Sequence, residues 1–185
     1  MFLIYINDMP LCVLNSDCRL YADDTLLGMD VTKCGQTGIQ ANVTNLYEWL
    51  KKWGLLFNPD KCMHMEVGRD TPTFKLFMNN IAIPQTSSLK YLGVYIQSDL
   101  KWHQHIQSVV NKSFKTLFMM IRCLFNATSE IKLIAFNSTT VVRPVLEYAS
   151  QVWSPHTKQL IEQLETIQRR AVLSDGFLNL KDRIV

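Results

Sequence analysis

The chain has 185 residues and a mass of 21.4 kDa, with 48% hydrophobic and 19% charged residues; it can bury a core and is not compositionally disordered. One or two small domains fit that length. Its formal net charge is +3, but residues 1–98 carry 8 Lys and Arg against 9 Asp and Glu, a net of −1, while residues 99–185 carry 11 against 7, a net of +4. This local basic excess is a weak pointer to a polyanionic partner; a solvated helix face explains it equally well on charge alone.

In chain order, Met1 to Ile6 is apolar but too short for a signal-peptide core, lacks a basic leader and runs into Asn7-Asp8. A short apolar run, Cys18-Arg19-Leu20-Tyr21-Ala22, then meets two adjacent carboxylates, Asp23 and Asp24, and Thr25 to Met29 returns as the second strand of a hairpin. Ile39, Val43, Leu46, Leu50 and Trp53 recur at helical spacing and predict an amphipathic helix ended by Gly54. Asn58-Pro59-Asp60 makes a turn, after which Met63, Met65 and Val67 alternate with Cys62, His64 and Glu66 as in a half-buried strand over 61–67. Phe74 to Met78, Asn79-Asn80 and Ile81 to Ile83 read as a tight hairpin. Tyr91 to Ile96 predicts one further strand.

From Trp102 the period becomes helical. Ile106, Val110, Phe114, Leu117, Ile121 and Leu124 form one stripe of about six turns. Thr128-Ser129-Glu130 offers caps for a second helix, Arg143-Pro144 opens a third, and Leu160, Leu164, Ile167 and Ala171 mark a fourth. The fold class is therefore α+β, with a boundary where the period switches, giving regions 1–98 and 99–185.

Two neighbouring carboxylates repel each other, so a fold tolerates them best where solvent, a basic partner or divalent cations offset the charge. On that tetrapeptide alone an ordinary solvated turn is the simpler reading, since Asp is a common turn residue. Other titratable candidates are weaker. His103 and His105 would point to different faces of a helix, and the five cysteines, at positions 12, 18, 34, 62 and 123, contain no Cys-x-x-Cys pair. That usage predicts reduced thiols in an intracellular protein. No stretch approaches the ~20 apolar residues of a membrane span.

The ordered set Tyr21-Ala22-Asp23-Asp24-Thr25, Trp49 to Trp53 leading into Leu55 to Cys62, and Lys90-Tyr91-Leu92-Gly93-Val94 resembles the back half of a reverse-transcriptase palm. It is most similar to the polymerases of non-LTR (LINE-type) retrotransposons. The likeness continues through Leu100 to His103 and Val142 to Pro155, typical of that group's thumb, and includes Phe2 to Pro10. It covers roughly residues 2–171 in the right order. The resemblance implies a partial palm, an antiparallel sheet with a packed helix, over 1–98 and a helical thumb-like region over 99–185. It further implies RNA-directed DNA polymerase chemistry with Mg²⁺ or Mn²⁺, an RNA template, a DNA primer strand and a nucleotide triphosphate.

The same resemblance assigns roles. Asp23 matches the family's metal-ligand and catalytic aspartate, and Asp24 its neighbour. Tyr21 and Ala22 would sit beside the primer end, and Tyr91, Leu92 and Gly93 match the strand-turn element that grips the primer. Lys61 falls where a palm lysine protonates or neutralises departing pyrophosphate; it is also readable as a surface strand residue. Arg143, Trp153, Arg169 and Arg170 face template or primer, or simply pack and solvate helices.

In-line nucleotidyl transfer uses two metals ~4 Å apart, which needs carboxylates from two separate strands. In the family the other essential aspartate precedes a Gly-rich motif, and neither it nor the fingers is found in this sequence. The expectation is a truncated polymerase, inactive alone, in which Leu20 and Leu26 lose neighbours and a sheet edge is left open. Asp175 to Val185 shows little family character. Two other readings stand beside this one: a nucleic-acid-binding module without turnover, and a non-functional remnant.

Overall fold

A computed structural model describes residues 2–68, 73–137 and 142–173. The segment Asp175 to Val185 lies outside the described residues. The chain forms two compact units, Met1–Ser87 and Ser88–Val185, and its mixture of helices with antiparallel hairpins is the α+β class.

In the first unit a short helix α1 (Phe2–Tyr5) and a 3₁₀ turn (Met9–Cys12) lead into the hairpin β1 (Asp17–Tyr21) and β2 (Asp24–Gly28). Helix α2 (Val31–Lys52) begins at Asp30, whose Oδ1 accepts from the Thr32 amide at 3.0 Å, and is interrupted at Gly35, where φ is 62°. The helical periodicity that starts at Ile39 belongs to the unbroken part. Met9, Leu46 and Leu50 form the core of this unit, with Cys18, Leu20, Leu27, Trp49, Leu55 and Phe57 around it. Leu20 therefore keeps apolar neighbours, supplied by α2. The β1–β2 sheet has two strands among the described residues.

Two short elements follow, β3 (Leu76–Met78) and β4 (Ile81–Ile83), paired through an Asn79-Asn80 turn with φ of 49° and 62°. The strand expected over 61–67 does not form. Pro59–Lys61 is a single 3₁₀ turn, capped by Asn58 Oδ1 accepting from the Asp60 amide at 3.1 Å, and only an isolated parallel bridge joins His64 to Gln85. Met63 and Val67 are exposed, whereas the His64 ring stacks on Phe74 with centroids 6.5 Å apart. A two-residue alternation specifies two faces but not which one meets the core.

In the second unit β5 (Ser88–Tyr91) pairs with β6 (Val94–Gln97). The single strand expected over 91–96 is thus a hairpin, bent at Leu92 and Gly93, whose φ values of 47° and 84° suit a tight two-residue turn. Helix α3 (His103–Cys123) follows, then α4 (Ser129–Asn137), α5 (Arg143–Glu147), α6 (Ser150–Trp153) and α7 (Lys158–Leu173). Ile106, Val110 and Leu117 of α3 share a core with Val94, Trp153, Leu160, Ile167 and Ala171. The division between units falls before the β5–β6 hairpin, whereas the change of period falls after it, because that hairpin packs on α3.

Candidate nucleic-acid and metal site

The Tyr21-Ala22-Asp23-Asp24 segment is the tip of the β1–β2 hairpin. Tyr21 pairs with Asp24, leaving Ala22 and Asp23 as a two-residue loop. Ala22 takes φ of 51°, a left-handed backbone unusual for a residue with a Cβ, so the close loop is held by the strands on either side. Cys18 and Leu20 face the α2 core and, by strand alternation, Tyr21 and Asp24 share the opposite, open face. Tyr21 is 61% exposed, and Asp23 and Asp24 are exposed. Neither carboxylate has an ion-pair or hydrogen-bond partner among the described residues; Arg19, on the same strand, is instead bound to Asp17 at 2.7 Å.

Lys61 ends the 3₁₀ turn rather than starting a strand, with its amide donating to Asn58 O at 3.1 Å and its side chain exposed. Tyr91, Leu92 and Gly93 form the tip of the β5–β6 hairpin in the other unit. The structure thus joins Tyr21, Ala22, Asp23 and Asp24 in one tip, joins Tyr91, Leu92 and Gly93 in a second, and leaves Lys61 outside both.

Among the described residues no group of three or more His, Cys, Asp or Glu is arranged to hold a metal ion. His103 is exposed and His105 is 2% exposed, which separates the two histidines as helix geometry requires. Three arginines of the second unit are engaged within it. Arg143 Nε meets Glu147 at 2.7 Å, Arg169 meets Glu165 at 2.8 Å, and the Arg170 guanidinium lies 4.8 Å above the Phe114 ring. Trp153, at 2% exposure, packs in the core.

Sequence reasoning passed over Tyr148, whose hydroxyl donates to Leu92 O at 2.8 Å. The signal was present in the Glu147-Tyr148-Ala149-Ser150-Gln151-Val152-Trp153 string, but nothing in linear spacing ties it to residue 92.

The family described as reverse transcriptase (RNA-dependent DNA polymerase) matches residues 1–96. The chain belongs to the reverse transcriptase family. Its relatives place it among the LINE-type members. It is 27% identical over 159 residues to the "Probable RNA-directed DNA polymerase from transposon BS" of Drosophila melanogaster, covering 82% of this chain and 17% of that protein. It is 22% identical over 186 residues to the corresponding protein of transposon X-element from the same species, covering 92% and 20%. It is 26% identical over 160 residues to the RNA-directed DNA polymerase of mobile element jockey from Drosophila funebris, covering 81% and 17%. The reverse-transcriptase chain spans about a fifth of the length of these curated relatives. No solved structure matches it. No helix among the described residues is long and apolar enough to cross a membrane.

Proposed function

We propose that this chain is the polymerase segment of a non-LTR retrotransposon reverse transcriptase, with residues 1–98 as part of the palm and 99–185 as a thumb-like region, acting on an RNA template and a DNA primer. One observation carries the reading: two adjacent carboxylates, exposed and without partners among the described residues, at the tip of a tight hairpin. An Asp pair held this way gives up no internal ion pair when it meets a cation. Mg²⁺ keeps several waters and is commonly bound through one or two carboxylates plus substrate phosphates, so Asp23 and Asp24 suit one such ion. Bound there, Mg²⁺ or Mn²⁺ supplies charge neutralisation for the triphosphate and primer oxygen.

The chain's own residues hold and orient. Asp23 is the principal ligand and Asp24 its neighbour. Ala22, with only a methyl group on a left-handed turn, leaves room for the primer backbone beside Tyr21. Tyr91, Leu92 and Gly93 contact the primer from the β5–β6 hairpin. Lys61, exposed on a mobile stem, neutralises or protonates the departing pyrophosphate.

Two ions need more carboxylates than one Asp-Asp tip, and the described residues contain no third ligand beside it. That observation favours a second reading, in which this chain alone binds an RNA–DNA hybrid without turnover. Primer extension on an RNA template with Mg²⁺ or Mn²⁺, beside an Asp23→Ala, Asp24→Ala double variant, separates the two. Extension that disappears in the double variant establishes an enzyme. No extension from either protein, with hybrid binding that weakens steeply as salt rises and ignores the double substitution, establishes binding alone. Neither extension nor binding sinks both readings and leaves the non-functional remnant.

A further inference from the structure

The Leu92-Gly93 turn is gripped from the helical segment of its own unit. Tyr148 donates its hydroxyl to Leu92 O at 2.8 Å, and its ring lies so close that a Cβ on Gly93 would stand 3.3 Å from Tyr148 Cε1. Tyr148 is itself anchored. Its amide donates to Pro144 O at 3.0 Å, and its carbonyl accepts from Trp153 Nε1 at 2.6 Å. Trp153 is buried and meets the His105 ring edge-on, with centroids 5.0 Å apart, while His105 Nδ1 accepts from the Tyr95 amide of β6 at 3.3 Å. The contacts close a circuit from the turn through α5, α6 and α3 back to the strand that leaves the turn.

We infer that Tyr148 is a positioning residue that sets the Tyr91-Leu92-Gly93 turn in the conformation that meets a primer strand. The inference rests on the proposed reading of that turn as a primer contact. Three observations separate this role from general packing. Tyr148 is 56% exposed, so its ring adds little to the core. Its hydroxyl partner is a main-chain carbonyl at the hairpin tip, so the bond constrains backbone direction rather than choosing a side chain. Leu92 holds φ of 47°, a left-handed conformation that a leucine does not favour by itself and that a fixed carbonyl helps maintain. Gly93 admits the ring where any side chain would crowd it.

The test uses the full chain with Tyr91→p-azidophenylalanine, which keeps an aromatic ring at the turn, irradiated on an RNA–DNA hybrid with a recessed primer 3′ end. Crosslinks are mapped with Tyr148 intact and with Tyr148→Phe, and affinities for recessed and blunt hybrids are measured beside them. With Tyr148 intact the label falls on the last nucleotides of the primer. Tyr148→Phe lowers that terminal fraction about fivefold, the worth of one net hydrogen bond, and weakens recessed-end binding more than blunt-end binding. An unchanged crosslink pattern, or equal weakening on both hybrids, overturns the positioning role while leaving the turn as a primer contact. Absence of primer crosslinks with Tyr148 intact overturns the reading of the turn, and the inference falls with it. Should Tyr148→Phe lose its fold by melting, Tyr148→O-methyltyrosine takes its place: it keeps the ring and its oxygen but has no proton to donate to Leu92 O. The same terminal loss is expected from it, and a retained terminal pattern overturns the role.

Discussion

His105 shows how one side chain can be read in two ways until its surroundings are known. It is 2% exposed, accepts a hydrogen bond at Nδ1 from the Tyr95 amide, and has no partner at Nε2 among the described residues. Burial disfavours the imidazolium and lowers the pKa below its ordinary value of 6.5. Because the unfolded chain binds the proton first, stability is full above pH 6.5, falls as pH drops below it, and levels off once the folded form also protonates. His105→Asn keeps an acceptor near the Tyr95 amide and removes the titration. Chemical denaturation across that range should show the acid slope of the second unit reduced in the variant; an unchanged slope would assign it to other groups. Asp23 and Asp24 are the opposite kind of residue. They are exposed and without partners among the described residues, and adjacency behind an apolar run is what singled them out as candidates, whereas burial makes His105 a structural group in spite of its neighbour His103.

At the level of elements, side-chain amides of α2 decide where the hairpins are held. Asn42, 2% exposed on α2, accepts from the Leu14 amide at 2.9 Å and donates to Leu14 O at 2.8 Å and Ser16 Oγ at 2.5 Å. It latches the loop that enters β1 and so aims the Asp-Asp tip. Asn42→Ala removes the side-chain partner of the part-buried Leu14 amide and carbonyl and should cost about 1–2 kcal/mol in the first unit. Hydrogen exchange should locate the loss at residues 14–28, and a uniform loss across both units would argue against the latch. Gln40 acts similarly at the next hairpin, where its side-chain amide accepts from Phe77 N at 2.9 Å and donates to Phe77 O at 2.7 Å, occupying one stretch of the β3 edge. Neither amide carries a periodicity signal, which is why sequence reading located the helix and the hairpins but not what fastens them. Periodicity alone missed the turn at Leu92-Gly93 for a related reason, since apolar residues on both sides of it read as one continuous strand, although the family resemblance puts a strand-turn element at Tyr91 to Gly93.

At the scale of the whole molecule, two apolar clusters with no residue in common stand behind the two units. Ile106 has no exposed surface, and Ile106→Ala should destabilise the second unit by about 2–5 kcal/mol. Segment-resolved hydrogen exchange should show the loss in residues 88–173 with α2 unaffected; equal loss in α2 would show that the two cores unfold together. The family and its LINE-type branch were legible in the sequence because short motifs keep their order and composition whatever packs around them. The α+β class and the long helices were legible for a similar reason, since a repeating apolar period specifies a buried face without reference to a partner. Which face of 61–67 turns inward, where the 91–96 run bends, which arginines are engaged within helices, and that Tyr148 reaches Leu92 were decided only by tertiary structure. Tyr148 and Leu92 are 56 residues apart, so no local pattern links them, and even the i,i+4 ion pairs and the two-residue bend depend on side-chain and backbone geometry that apolar periodicity does not carry.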